Sequence, residues 1–297
     1  MESATPFLAI ITPTYNRSSI IHNCYESLKS QTDYDFVWVV VDDGGTDNTK
    51  EVVLEFKKNA LFEIIYIYRE NRGMNAAVQA GLELVDTKFV LKLDSDDALT
   101  NNAVEIIKDK WKKWKINEKI GVISFLVQNQ NGVIVGEHFP GDNYISNHIE
   151  CRINKKINGD KTEIFRTSIF KDNINCFTLS YSGMGTILCV IGRKYDTVYY
   201  NRAIVIKNYL PDGISKSKKK NLKKMAGMMY LSNEYMHTDI KFSVRLNRTV
   251  IFGALGFVVK IKVFNLLRQS NMPFLSFICL FPSYILYKKW KVKYDFE

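Results

Sequence analysis

The chain has 297 residues, of which 46% are hydrophobic and 24% charged, and its 41 lysines and arginines exceed its 31 aspartates and glutamates to give a net charge of +10. That length suits one large domain or a domain with an appendage, and the composition excludes a disordered chain. Five scattered cysteines, Cys24, Cys151, Cys176, Cys189 and Cys279, are odd in number and show no C-x-x-C spacing, which argues against a disulfide scaffold or a zinc site and points to reduced thiols in a cytosolic setting.

Residues 7–12 are a continuous apolar run without alternation, the pattern of a strand buried on both faces, and the run breaks at Pro13. Glu2 and the shortness of this run argue against a signal peptide. The polar stretch Thr12-Pro13-Thr14-Tyr15-Asn16-Arg17 leads to Ile20, Ile21, Cys24 and Leu28 at helical spacing, which predicts a helix over 18–31. A second buried strand over 36–41 runs into Asp42-Asp43-Gly44-Gly45-Thr46-Asp47-Asn48-Thr49, where glycines permit a tight turn and Thr46 or Asp47 can cap a helix. A third strand, 62–68, meets Glu70-Asn71-Arg72-Gly73 and then a helix whose Ala76, Ala77, Ala80 and Gly81 allow close packing on a sheet. The fourth strand, 89–93, ends in Asp94-Ser95-Asp96-Asp97.

Alternation along a strand puts Asp94 and Asp96 on one side of the pleat. Two carboxylates so placed suit a hard cation, Mn2+ or Mg2+, that keeps room for phosphate oxygens. The competing reading is that Asp96, Asp97 and Thr100 begin the next helix. Four strand–loop–helix units imply right-handed crossovers and an α/β fold with a doubly wound, mostly parallel sheet. Ligands of such sheets lie beyond the carboxyl ends of the strands, so the four polar loops share one edge. Neither a dinucleotide fingerprint nor a P-loop is present, and a metal on the aspartate pair would hold phosphates in their place.

Farther on, a helix over 100–115 precedes a strand over 121–127, and Asn129-Gln130-Asn131-Gly132 reads as a hairpin turn into 133–135. Residues 139–158 are polar and irregular, long enough for a mobile loop over a site. Short strands follow over 159–166 and 197–206. After 215 the composition shifts: six lysines lie between 216 and 224, helical runs follow over 222–237 and 244–267, and the apolar segment 274–287 is interrupted by Pro282. That segment is short of the roughly 20 residues a spanning helix needs. Lys260, Lys262, Arg268, Lys288, Lys289, Lys291 and Lys293 fit helices lying on an anionic membrane surface, the alternative being helices that pack on the catalytic domain or a second subunit. The basic tail contains no recognisable nucleic-acid-binding module, so no nucleic-acid partner is expected.

The loops after strands one, two and four, taken in order with Asn71-Arg72-Gly73, resemble glycosyltransferase family 2, the inverting transferases of GT-A fold. The resemblance is strongest over the first 100 residues. It implies a nucleotide-sugar-binding half over 1–100, an acceptor-side half over 101–215 and a basic, apolar helical extension over 216–297. It further implies metal-dependent transfer from a nucleotide-diphosphate donor, a UDP-sugar first, to a glycan or lipid-linked acceptor. Pro13, Thr14, Tyr15 and Arg17 would shape the base pocket, with Asp43 accepting from a uracil N–H. Arg72 would face the nucleotide or its phosphates, Asp94 the ribose, and Asp96 would hold Mn2+ or Mg2+, with Asp42, Asn71 and Ser95 completing the donor side.

Gly159-Asp160-Lys161-Thr162-Glu163 and Tyr209-Leu210-Pro211-Asp212-Gly213 resemble pieces of a bacterial subgroup that makes surface polysaccharides, which implies a cytoplasmic enzyme peripheral on the inner face of the cell membrane. An inverting reaction needs a carboxylate to take the acceptor's proton. The subgroup carries it before an apolar helix, whereas this chain has Ser180-Tyr181-Ser182-Gly183-Met184-Gly185-Thr186-Ile187-Leu188 and no Asp or Glu between Asp172 and Asp196. Two readings follow: Asp160 or Glu163 acts as the base, or the protein is a sugar-nucleotide-binding partner with weak or no transfer. A nucleotidyltransferase, a third class, needs a Gly-rich basic loop near its first strand, and residues 12–17 contain no glycine.

Overall fold

The apolar runs become strands of one nine-stranded sheet in the computed structural model of the chain, which describes residues 5–177, 183–209 and 222–294. The strands are β1 (Leu8–Thr14), β2 (Phe36–Asp43), β3 (Glu63–Arg69), β4 (Phe89–Lys92), β5 (Ala98–Leu99), β6 (Ile120–Asn129), β7 (Tyr144–Ser146), β8 (Lys161–Arg166) and β9 (Asp196–Lys207). Their order is β3-β2-β1-β4-β8-β6-β9-β5, with β7 added on β9. Strands β1 to β4 are parallel, as are β6 and β9, but β8 inserts antiparallel between β4 and β6. The second half of the sheet is therefore mixed.

Helices cover both faces, which is why β1 and β2 are buried along their whole length. On one face Ile10, Trp38 and Val40 pack with α1 (Ile21–Lys29), α2 (Thr49–Asn59) and α4 (Ala103–Trp114), and Tyr25 stacks on Phe56 at 4.0 Å between ring centroids. On the other, α3 (Met74–Glu83) lies so close that a Cβ on Gly81 would come within 2.7 Å of the Ile11 side chain and 3.0 Å of Val41. A short helix, α5 (Thr167–Asn173), follows β8.

Several local expectations are corrected. β1 does not break at Pro13 but continues through it, opposite Val41 of β2. Its pairing with β4 stops at Ile11 and Lys92, so beyond that point one flank of β1 needs no ladder N–H. The acidic residues do not cap a helix: α4 begins at Ala103 after Asn102, and Asp94 to Asp97 form a turn closed by the Asp97 N–H on the Asp94 carbonyl at 3.1 Å. That turn, rather than strand alternation, sets their relation, since β4 ends at Lys92. Finally, the segment 139–158 is not an unstructured lid. It contains β7 and a π-helical turn, Ile149–Asn154, and just outside its ends Gly136 and Gly159, at φ 86° and 92°, meet backbone to backbone.

The chain divides into two compact units. The first, residues 1–147, 157–174 and 194–216, holds the sheet; the second, residues 148–156, 175–193 and 217–297, is helical. Its helices are α6 (Met184–Gly192), α7 (Leu222–Glu234), α8 (Phe242–Val258), α9 (Val263–Gln269), α10 (Pro273–Ile278) and α11 (Leu280–Tyr294), with Met229, Met236, Phe252, Leu255 and Leu266 in the core. The single helix predicted over 244–267 is two. α8 ends with Lys260 at φ 59°, the Lys260 N–H on the Phe257 carbonyl and the Ile261 N–H on Gly256, the hydrogen-bond pattern of a Schellman cap. Pro282 sits in the first turn of α11, where its missing N–H costs nothing. No helix among the described residues is long and apolar enough to cross a membrane. Cys24, Cys151, Cys189 and Cys279 are buried.

Candidate functional site

The loops after β1, β2 and β3 are laced together by side chains that accept from backbone N–H groups. Asp42 is buried and accepts from the Tyr66 hydroxyl and the Gly45 N–H, both at 2.8 Å. Buried Asp43 accepts from the Arg72 N–H at 3.1 Å and the Gly73 N–H at 2.6 Å, with Arg69 Nε 3.5 Å away. Each carboxylate is thus compensated where an unpaired one would be costly. Gly44 has φ 84°, and a Cβ there would stand 2.8 Å from the Asn71 nitrogen, so only glycine lets the two loops approach this closely.

The β1 loop is tied to the β2 loop in the same manner. Asn16 accepts from the Thr46 N–H at 2.7 Å, Asp47 from the Ser18 N–H at 2.9 Å and the Thr49 hydroxyl at 2.5 Å, and Thr49 Oγ1 from the Arg17 N–H at 3.1 Å. Burial would raise the Asp47 carboxyl, but the hydrogen bonds from Thr49 and Ser18 outweigh it and hold it at about 2. Pro13 and Thr14 lie in β1, and the buried Thr14 hydroxyl has no hydrogen-bond partner among the described residues. Tyr15, Asn71 and Arg72 are exposed around this edge, and Arg17 is half-buried.

The acidic turn contains its own cations. Lys92 pairs with Asp94, while Lys207, at the end of β9, lies 3.3 Å from Asp94 and 2.6 Å from Asp97. Asp97 also accepts from the Asn208 N–H at 3.2 Å. Burial would raise the Asp94 carboxyl, but the ammonium groups of Lys92 and Lys207 hold it well below the usual carboxylate range. For Asp97 burial wins over Lys207, and its carboxyl is pushed up to about 6 with Asp94 and Asp96 adding to the rise. Burial opposes the charge on Lys207, and the two carboxylates more than restore it. Ser95 is buried in the turn. Asp96 is half-buried and is the carboxylate of the turn with no hydrogen-bond or ion-pair partner among the described residues.

β8 runs antiparallel to β4 with Leu91 opposite Ile164. The chain that precedes Ile164, carrying Asp160 and Glu163, therefore runs toward the acidic end of β4. Asp160 accepts from the Tyr209 hydroxyl at 2.7 Å, and burial together with that bond pushes Tyr209 up to about 12. Glu163 lies on β8 opposite Ser124 of β6. Residues 180–182 and 210–213 and the lysines from 216 to 220 lie outside the described residues.

Among the described residues no group of three or more His, Cys, Asp or Glu could hold a metal by itself. Mg2+ and Mn2+ arriving with a diphosphate need only one or two carboxylates besides phosphate oxygens and water, and the unengaged Asp96 fits that demand. Asp94 and Asp97 are already compensated by Lys92 and Lys207. Lys207 escaped sequence reasoning because it lies 113 residues from Asp94 and no local spacing links them. Asn16, Asp47 and Thr49 stood inside the loop motifs, but their bonds to one another become visible only in three dimensions.

A half-parallel, half-mixed sheet whose carboxyl-end loops converge on an acidic turn defines a glycosyltransferase domain of the GT-A type. The chain belongs to glycosyltransferase family 2: the model described as "Glycosyl transferase family 2" matches residues 9–172. S. aureus TarS 1-349 in complex with UDP-GlcNAc superposes with a TM-score of 0.62 at 16% identity, covering 96% of this chain and 92% of that one. The mannosyltransferase PcManGT from Pyrobaculum calidifontis, in complex with GDP-Man and Mn2+, gives a TM-score of 0.58 at 12% identity, covering 99% of this chain and 85% of that one. Chondroitin synthase from Escherichia coli is 35% identical over 117 residues, 38% of this chain and 17% of that protein. The putative teichuronic acid biosynthesis glycosyltransferase TuaG from Bacillus subtilis is 29% identical over 121 residues, 40% of this chain and 43% of TuaG. The matched stretch thus spans less than half the length of these two relatives.

Proposed function

We propose that the chain is a metal-dependent, inverting glycosyltransferase that moves a sugar from a UDP-sugar to a glycan or lipid-linked acceptor in surface-polysaccharide synthesis, at the cytoplasmic face of a bacterial membrane. The observation that carries this reading is Asp96, a carboxylate without a protein partner among the described residues, set among loops whose other aspartates are all compensated. A divalent cation held there would neutralise charge on the departing nucleotide diphosphate. The UDP-GlcNAc bound to TarS and the polysaccharide and teichuronic acid roles in the relatives' names support the donor and the pathway class.

Pro13, Thr14, Tyr15 and Arg17 line the base side in this reading, and Asp42, Asn71 and Ser95 complete the donor side. Asp43 uses one hydrogen bond on each oxygen for the Arg72–Gly73 backbone, and a carboxylate has lone pairs left for a uracil N–H. Arg72 faces the nucleotide or its phosphates in this reading, and Asp94 the ribose side. In the transfer the acceptor hydroxyl attacks the anomeric carbon as the bond to the diphosphate breaks on the opposite side, which inverts that carbon. Its proton passes to a carboxylate, Asp160 or Glu163. A second reading, a sugar-nucleotide-binding partner with little transfer, draws on the lack of any acidic residue between Asp172 and Asp196.

Calorimetry with a UDP-sugar and Mn2+ tests the donor site. Asp96→Ala is expected to abolish the metal-dependent part of binding, and unchanged binding refutes the assignment. Asp160→Asn and Glu163→Gln separate the two readings: loss of turnover with donor binding intact identifies the base, and no turnover in the unaltered protein with its acceptor selects the binding-partner reading.

A further inference from the structure

Two of the C-terminal helices of the second unit expose large apolar residues and bury small hydroxyl-bearing ones. α10 points Phe274, Phe277 and Ile278 outward, at 78%, 61% and 56% exposure, and buries Ser276, whose hydroxyl lies 2.6 Å from that of Ser270. α11 exposes Phe281 at 75%, with Ile285 and Val292, and buries Ser283 directly against Gly253 of α8. The two helices meet at Cys279, whose N–H bonds the Leu275 carbonyl and whose carbonyl takes the Ser283 N–H. Residues 274, 277, 278, 281, 285, 288 and 292 are all exposed and recur at helical spacing, which makes one outward stripe. Small residues between helices with large apolar residues outside is the pattern of helices whose outer solvent is lipid.

Charge says which surface covers the stripe. From residue 241 to residue 294 the chain has ten lysines and arginines and no aspartate or glutamate. Lys288 stands within the stripe, 5.4 Å over the Tyr284 ring, and Lys289 and Lys291 are exposed beside it. A second copy of this chain docked on the stripe would bring Lys288 and its neighbouring lysines against themselves, whereas an anionic bilayer complements them. No described helix is long and apolar enough to cross a membrane, so a bilayer would meet this stripe at its interface.

We propose that the stripe from Phe274 to Val292 is an interfacial anchor that seats the helical unit in the headgroup region of an anionic bilayer, phenylalanines in the acyl boundary and lysines at the lipid phosphates. The proposal builds on the membrane-face location given for the transferase and is independent of the transfer chemistry. The test is co-flotation of the full chain with vesicles of phosphatidylglycerol and phosphatidylcholine, or of phosphatidylcholine alone, beside UDP-sugar binding by calorimetry. The unaltered protein is expected to float with the anionic vesicles and less at high salt. Phe277→Ser/Phe281→Ser is expected to weaken partitioning roughly tenfold or more, and Lys288→Glu/Lys289→Glu to remove the preference for anionic lipid, both with donor binding unchanged. Flotation without donor binding strikes the transferase reading and supports the anchor. Absence of flotation overturns the anchor. So does sedimentation showing a dimer that the phenylalanine variant converts to monomer, because the stripe is then an interface between copies.

Discussion

Asp47 is not a donor ligand in the proposed reaction, yet it binds both loops that form the donor edge, and its removal is expected to loosen them together. Its carboxyl at about 2, against an ordinary 3.8, corresponds to about 2.4 kcal/mol at neutral pH by linkage, which solvent screening at this partly exposed site reduces to about 1.5 kcal/mol. Asp47→Asn keeps the shape and one acceptor but removes the charge. In a chain of this size the loss amounts to a fall in Tm of roughly 3–6 °C. Because the folded carboxyl is depressed, its contribution is present above the unfolded value of 3.8 and disappears as pH falls through about 2. Urea denaturation at pH 7 and pH 3 reads this directly: the gap between native protein and variant should shrink by about half at the lower pH. Calorimetry should show weaker UDP-sugar binding with the metal dependence kept, since Asp96 is untouched. Equal urea midpoints at pH 7, or a gap that does not change between pH 7 and pH 3, refute the argument.

Gly44→Ala places a Cβ at φ 84° and 2.8 Å from the Asn71 nitrogen, so it should cost about 2 kcal/mol and weaken donor binding, measured by urea midpoint and calorimetry together. Tyr66→Phe removes the hydroxyl that donates to buried Asp42 and should destabilise by about 1–3 kcal/mol. A Tm within one degree of the native protein would show that water replaces that donor.

The first half of the fold was legible because its signals are local. Continuous apolar runs over 7–12 and 36–41 report strands covered on both faces, and the small residues Ala77 and Gly81 report a helix pressed onto them. The loops after β1, β2 and β4 were legible as motifs for the same reason, each being a few consecutive residues. What failed to show was pairing across long separations. β8 enters antiparallel between β4 and β6 through contacts that no periodicity encodes. Lys207 reaches Asp94 and Asp97 from the far end of β9. The α8–α9 break was hidden because the left-handed residue that ends α8 is Lys260, where a glycine would have announced it.

The contact between Asp43 and the backbone of Arg72 and Gly73 separates shape from chemistry in that loop. Its conformation is written in the carboxylate of residue 43 and in the φ of 91° at Gly73, not in the side chains of Asn71 and Arg72. Those two side chains can change while the main chain keeps its course. A series of substitutions at position 72 therefore tests the contribution proposed for its side chain in donor binding, uncontaminated by loop rearrangement.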